Sequence, residues 1–489
     1  MSVLGIDVGT TTCKGIVVDK NGFIIAKKQT DYSIKPIIKN NTVTIDAKVF
    51  KECVFLIIKE LSLMVNGVDV IKAISISTHG ETLIVVGKDG EPLTPAILSM
   101  DRRCICEMQF LEKELGKEKF YSICGTPIHS QYPVPKVMWY KKNEPEIFSK
   151  AYKFCTVQDY LHSNLGVGYY VDYSLASRFG GFDIKKRDWS NEILSIVGVN
   201  KDRFSIPVQA GSVIGVVDKE IAYSLGLDGD VKVVAGGHDQ PCAALAMGAE
   251  NNKITISAGS YECVTISTDT PLNDQKGYLC GLNSYCHVLE NKYVTLAFFS
   301  SGLMVNWFID KLCPYLKDSG KNIYNYLESI APKTPTSICF TPHLYGAMNP
   351  KWDDNARAVV TGLSGEMGLG DLYRAVLEGT ACELSLNLKV LEELAGEIDK
   401  VVLCGGGTRS DLWMQIRADV LNKKLMRIDG DIDASCIGAA LIAGVGVRMF
   451  SSYQQAIDKI KYKYSEFLPK NPNGYIEQKE KYLKIIERN

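Results

Sequence analysis

The stretch Val231–Ser260, VKVVAGGHDQPCAALAMGAENNKITISAGS, lies near the middle of a 489-residue chain and decides how the rest is read. An apolar run rich in β-branched residues stops at Gly236-Gly237. His238, Asp239 and Gln240 follow at once, and the small residues from Pro241 to Gly248 then suit a helix. A carboxylate is thereby set at the mouth of a buried strand. From Lys253 a second apolar run ends in Ala258-Gly259-Ser260, the same arrangement as Leu4 to Thr12 near the N-terminus. The chain starts over here, so two related halves are expected.

The length exceeds what one hydrophobic core usually supports, which predicts two domains, residues 1–248 and 249–489. Lys and Arg number 55 against 56 Asp and Glu, so no basic stripe argues for nucleic acid or an anionic membrane, and a small-molecule partner fits better. The 15 cysteines are scattered through apolar segments, and Cys104 and Cys106 lack the spacing of a zinc or redox motif. They read as reduced core thiols of a cytoplasmic protein. No basic region leads into an apolar signal core, and the longest apolar run, Ile437–Val447, is too short and glycine-rich to span a bilayer.

Val3 to Asp19 reads as strand, glycine turn, strand, with Asn21-Gly22 as the next hairpin turn, so an antiparallel meander opens the chain. Asp7 lies inside the first strand between Ile6 and Val8, where a charge is costly unless it meets a partner such as a cation; the plainer reading is an Asx turn before Gly9. Val49–Val65 has helical periodicity, and Val70–Ser77 is a buried strand running out to Thr78-His79-Gly80. Because ligands of open α/β sheets bind at the carboxyl ends of strands, His79 is a contact candidate, although a lone histidine often serves only structure. Asp101, Arg102 and Arg103 follow another short apolar run, and their alternative is a solvated surface pair. Pro133–Leu165 is expected to be predominantly helical. In the second half, Val401–Cys404 is a strand ended by Gly405, Gly406 and Gly407, after which Asp411–Leu421 reads as a helix. That order lets backbone N–H groups approach a phosphate or nucleoside, though glycine runs also make plain turns. From Tyr475 onward a charged amphipathic helix is expected.

Two half-chains that each open with a hairpin resemble the duplicated ribonuclease H-like ATPase fold of sugar kinases, Hsp70 and actin. The finer resemblance is to the FGGY carbohydrate kinases, and it covers essentially the whole chain. GIDVGTTTCKGIVVD, with Asp7, Gly9, Thr10, Thr11, Thr12 and Lys14, resembles the first phosphate loop of that family. GGHDQ resembles its catalytic-aspartate segment, ISAGSYECV its second phosphate loop, and LCGGGTRSDLWMQIRADVL its adenosine-binding stretch. Ala358–Glu378 fits the C-terminal signature of the family, whereas QYPVPKVMWYKKNEPE departs from the other signature at Gln131 and Tyr140.

The resemblance implies an α/β fold of two ribonuclease H-like domains, each a mixed sheet flanked by helices, with an ATP and sugar cleft between them. The first domain would bind sugar and carry the base, and the second would bind nucleotide. Asp239 would take the proton of a primary alcohol as that oxygen attacks the γ-phosphorus, and Asp7 would hold Mg²⁺. Gly9 to Thr12, Lys14, Gly259 and Ser260 would grip the triphosphate, and Gly405 to Gly407 the nucleoside. His79, Asp101, Arg103 and Gln240 are the candidate sugar contacts. His79-Gly80 resembles the Met-His-Gly of xylulokinases with Thr78 in place of Met, and Ser99-Met100 replaces a Trp-Asn before Asp101. Asp101-Arg102-Arg103 also resembles the Asp-Arg-Arg of glycerol kinases, but their Arg-Glu pair is not seen at His79-Gly80. A ketopentose such as D-xylulose is the favoured acceptor; another ketose, a polyol, gluconate or glycerol is the alternative. A non-catalytic ATP-driven binding protein and a sugar-sensing regulator are the readings from a different class. Neither nucleic acid nor membrane is an expected partner, and a homodimer is the assembly to be tested.

Overall fold

β1 (Ser2–Val8) is buried along nearly its whole length, which its run of apolar residues requires of a strand covered on both faces. It pairs antiparallel with β2 (Thr12–Asp19), from Ser2 opposite Asp19 to Val8 opposite Cys13. β2 in turn pairs antiparallel with β3 (Ile24–Asp31), whose alternating exposure marks it as the sheet edge. On its other side β1 runs parallel to β4 (Ile71–Thr78), β4 runs parallel to β6 (Lys232–His238), and β5 (Val213–Val216) closes the far edge antiparallel. The six-stranded order is β5-β6-β4-β1-β2-β3. The computed structural model from which this is taken describes residues 1–248, 253–317, 322–430 and 432–488. The expected domain boundary after residue 248 adjoins 249–252, which lie outside the described residues.

The second half repeats the plan. Its strands are β7 (Lys253–Ala258), β8 (Tyr261–Thr268), β9 (Asn283–Cys286), β10 (Tyr293–Ser300), β11 (Lys400–Cys404), β12 (Leu425–Ile428) and β13 (Tyr464–Phe467). They lie in the order β9-β10-β8-β7-β11-β12-β13. As in the first sheet, a central strand has an antiparallel hairpin partner on one side, β8, and a parallel strand on the other, β11. The chain is therefore a two-domain α/β protein of mixed sheets flanked by helices. In each sheet the hairpin turn, Gly9–Thr11 or Gly259-Ser260, falls at the carboxyl end of the central strand, where the parallel neighbours also end.

α1 (Lys48–Val65) buries Val49, Phe50, Cys53, Val54, Ile57, Ile58 and Leu61 along one face, as its periodicity predicts. Two small-residue helices matter more for the site. α2 (Asp239–Ala246) begins directly after the last residue of β6, and α6 (Ala434–Gly446), from the second half, lies across the first sheet. Glycine makes that approach possible. A Cβ on Gly5 would stand 2.2 Å from the Cys436 carbonyl oxygen, and one on Gly438 would stand 2.0 Å from that of Cys242. The apolar run Ile437–Val447 is thus an interior helix end, packed in a core that takes Val3, Val18 and Val234 from the first sheet and Val402 and Ile428 from the second. Among the described residues no helix is long and apolar enough to cross a membrane.

Two other expectations meet the structure here. Pro133–Leu165 contains the helices Pro133–Asn143, Pro145–Lys150 and Val157–Asn164, but also the strand Lys153–Cys155, recruited by pairing with Ile84–Val86. Every cysteine is a free thiol, and all but Cys106 and Cys280 are buried. Three further helices complete the frame: α3 (Gly302–Leu312), α4 (Leu369–Ala395) and α5 (Asp411–Leu421). Because the Gly438 contact is backbone against backbone, Gly438→Ala is expected to cost about 1–3 kcal/mol of unfolding free energy through overpacking, checked by urea titration against wild type.

Candidate functional site

At the carboxyl end of β1, the Asp7 carboxylate accepts a hydrogen bond from the Ser77 hydroxyl at 3.0 Å, placed there because Asp7 and Ser77 are register partners in β1 and β4. Burial pushes its pKa up to about 6, against smaller downward pulls from Ser77 and Lys14. Lys14 stands directly opposite on β2, yet its ammonium pairs with Asp433, at the N-terminus of α6. The turn between the strands is tied by Gly9 N–H donating to the Thr12 carbonyl (2.9 Å) and by the Tyr32 hydroxyl donating to the Gly9 carbonyl (2.5 Å). Thr10 and Thr11 are left exposed at its tip.

Asp239 is the first residue of α2, held where β6 stops. Burial, then Asp7, then Glu81 push its carboxyl up to about 8, while the Gln240 backbone and side chain pull the other way. Its side chain remains 26% exposed, so cleft water softens the shift. His238 is held neutral, its pKa lowered to about 3 chiefly by burial, with Nδ1 2.7 Å from the Tyr285 hydroxyl. With the phenol donating to Nδ1, the ring proton resides on Nε2, 3.2 Å from Asp239 Oδ1. The approach is off the line of a hydrogen bond, and Oδ1 is a buried oxygen with no hydrogen-bond partner. That oxygen is therefore open to accept a hydrogen bond.

Glu81 lies beside this pair and was not singled out in the sequence. It has a left-handed backbone at φ 62°, a conformation that costs an L-residue about 1–2 kcal/mol. The Arg178 Nε donates to Oε1 at 2.5 Å and Nη2 reaches the same oxygen, so Oε2 is left over. Burial pushes the Glu81 carboxyl up, and Arg178 more than reverses this, holding it below the usual range. Arg178 itself stacks 5.0 Å from the Tyr285 ring centre and donates to Asn283 Oδ1 at 3.1 Å, which also accepts from the Tyr132 hydroxyl at 2.9 Å. Asn283 and Tyr132 line a cavity of about 400 Å³ that His129, Gln131 and Trp352 share. An Arg–Glu pair is therefore present, although the two residues lie 97 positions apart.

The other sugar-contact candidates are held within the protein. His79 is buried with Nδ1 2.9 Å from the Val8 carbonyl and Nε2 2.8 Å from the Thr82 hydroxyl. A carbonyl only accepts, so Nδ1 carries the proton and Nε2 accepts from Thr82; both nitrogens are in use. Asp101 is fully buried and accepts from the Val43 N–H (2.7 Å), the Arg103 N–H (3.0 Å) and two guanidinium nitrogens of Arg103 (each 2.9 Å). Arg103 lies 4.9 Å from the Trp139 ring centre. The pair faces Lys136, whose Nζ donates to the carbonyls of Glu81 (2.9 Å), Leu98 (3.0 Å) and Gln131 (2.6 Å). Lys136 thus braces the backbone that carries Glu81.

In the second half the structure brings Gly259, Ser260, Gly406 and Gly407 to one cavity of about 530 Å³, closed by Tyr324 and Trp413. Gly405, at φ 101°, precedes the two lining glycines with a Cβ position 2.6 Å from the Ala258 carbonyl oxygen, where no other residue fits. The N-terminus of α3 abuts the turn, with Gly302 N–H donating to Gly259 O (3.1 Å) and Leu303 N–H to Ser260 O (2.8 Å). Beneath it Arg417 pairs with Glu262 in a dry interior, donates to the Gly407 carbonyl at 3.1 Å and lies 4.1 Å from the Trp413 ring centre. The Ser301 hydroxyl donates to the same Glu262 oxygen, Oε1, at 2.6 Å.

Comparison with known proteins agrees with this geometry. The gluconokinase of Bacillus subtilis is 27% identical over 94% of this chain and 91% of its own length, and the xylulose kinase of Staphylococcus xylosus is 26% identical over 93% and 92%. The crystal structure of xylulose kinase from Rhodospirillum rubrum superposes with a TM-score of 0.91 at 22% identity, covering 100% of this chain and 99% of that one. Residues 2–246 match the N-terminal domain of the FGGY family of carbohydrate kinases, and residues 254–447 match its C-terminal domain. With both family domains in order along almost the whole chain, over a repeated sheet and a pair of glycine turns, the protein belongs to the FGGY family of carbohydrate kinases.

Proposed function

We propose that the protein transfers the γ-phosphate of ATP to a primary hydroxyl of a small neutral sugar, with a ketopentose such as D-xylulose as the first acceptor to test. The observation that carries this reading is the partnerless, buried Oδ1 of Asp239 at the mouth of β6, beside a neutral His238 that cannot neutralise it. A carboxyl held near the working pH is suited to accept a hydroxyl proton as the oxygen attacks. The first domain, residues 1–248, holds the acceptor and the base, and the second, residues 249–489, holds the nucleotide, its nucleoside in the cavity between Gly259-Ser260 and Gly406-Gly407. The exposed Thr10 and Thr11 and the N–H groups of both turns serve the phosphates. Gln240 orients Asp239.

Asp7 fits a hard cation. It is a half-buried carboxylate with one hydrogen bond, from Ser77, and its cross-strand lysine is paired elsewhere. Mg²⁺, which binds through one or two carboxylates, retained waters and nucleotide phosphates, would supply charge neutralisation on the transferring group. The chain's own part is to hold Asp7 and Asp239 together at the floor of the cleft and to exclude water as the competing acceptor.

The acceptor end is ringed by the carboxyls of Asp7, Glu81 and Asp239, which favours hydroxyl donors over an aldonate that would add a fourth. Glu81 Oε2 is free to accept from such a hydroxyl. An ADP-release assay over pentuloses, hexuloses, polyols, glycerol and aldonates should give its strongest signal with a ketopentose; a signal confined to gluconate would reverse the choice of acceptor.

Asp239→Asn should lower kcat by 10²-fold or more while nucleotide affinity, followed by fluorescence titration, stays within a few-fold. Near-normal turnover would remove Asp239 as the base. Because the base works deprotonated and its pKa is raised, kcat/KM for the sugar should rise with pH along an acid limb centred above the ordinary 3.8 and toward about 8. A pH profile with its midpoint at or below 4 would contradict that assignment.

A further inference from the structure

Asp7 and Lys14 face each other in the β1–β2 ladder. Directly opposed residues of an antiparallel pair place their Cβ atoms about 4.5–5.5 Å apart on one face of the sheet, and opposite charges so placed ordinarily pair. Here they do not. The Lys14 ammonium donates to Asp433 Oδ1, and Asp7 accepts only from the Ser77 hydroxyl. Asp433 and Lys14 are 419 positions apart, so the contact exists only because α6 lies on the first sheet. The Asp433 carboxylate is not used to cap that helix, since its side chain makes no cap hydrogen bond. Its place is set by the contacts of Gly5 with Cys436 and Gly438 with Cys242, which leave α6 no freedom to slide.

We infer that Asp433 is a positioning residue that draws Lys14 away from its cross-strand partner and so keeps the Asp7 carboxylate open to the divalent cation. The inference rests on the reading of Asp7 given above. Without Asp433, Lys14 needs only a rotamer change to fall onto Asp7, placing an ammonium where the cation binds. The residue acts through Lys14 and touches neither cation nor sugar.

The test uses Mn²⁺ as the probe, its binding to the full chain at saturating ADP read from the electron paramagnetic resonance of the free ion. Asp433→Asn is expected to weaken Mn²⁺ binding about tenfold, a modest share of the repulsion a displaced ammonium exerts at short range. Asp433→Asn combined with Lys14→Met should return the affinity to within about threefold of wild type, because the competing ammonium is gone. Asp433→Glu, which keeps the charge, should stay closer to wild type than Asp433→Asn. An unchanged affinity in Asp433→Asn, or a double variant as weak as the single one, overturns the inference. An unchanged affinity in Asp7→Asn overturns instead the cation reading on which it depends.

Discussion

The structure depends on backbone touching backbone where two helices and a sheet meet. At Gly5, Gly236 and Gly438 a single added methyl group would lie between 2.0 and 2.2 Å from a carbonyl oxygen, a distance no real Cβ tolerates. These contacts press α6 against β1, β6 against β4, and α6 against α2. Everything chemical in the site follows from that closeness. Asp239 is the first residue of α2, Asp433 immediately precedes α6, and Asp7 is the penultimate residue of β1, so three carboxylates that would otherwise repel are fixed around one floor. Burial and mutual repulsion then raise the first and third of them above the usual carboxylate range, Asp239 to about 8 and Asp7 to about 6. This is unfavourable for stability as the pH rises through those values.

The second half applies a different solution to a related problem. The glycine segments that line the second-half cavity are held from below. Arg417 and Glu262 form a buried ion pair, the kind whose value lies in geometry more than in net stability. One arm of the guanidinium reaches the Gly407 carbonyl, while the carboxylate stands on β8 directly after the other turn.

Much of this was legible in the chain. The paired hairpins show because β-branched runs end sharply at glycines, and α1 shows because its apolar spacing matches one helix face. Asp7 and Asp239 stand out as charges inside apolar text. The strand Lys153–Cys155 was hidden, since three residues carry no periodicity and a distant partner decides their state. Glu81 and Arg178 were hidden for a related reason: each looks like an ordinary surface charge until the fold joins positions 97 apart. One signal was available for Glu81, an acid directly after the His79-Gly80 strand end. His79 and Asp101 show the converse limit, because composition cannot tell whether a polar group at a strand end faces the cleft or its own neighbours.

The Arg417–Glu262 tie has a mechanical consequence. It fastens the turn at Gly259-Ser260 and the loop at Gly406-Gly407 into one jaw, so the two glycine segments are held at a fixed separation across the cavity they share. The other jaw cannot part from it at α2 and α6, where the glycine contacts leave no slack. Asp239 begins α2 and Asp433 immediately precedes α6, so both belong to that tight seam. Carboxylates borne on a seam of backbone-to-backbone contacts keep their mutual geometry more strictly than groups carried on exposed loops.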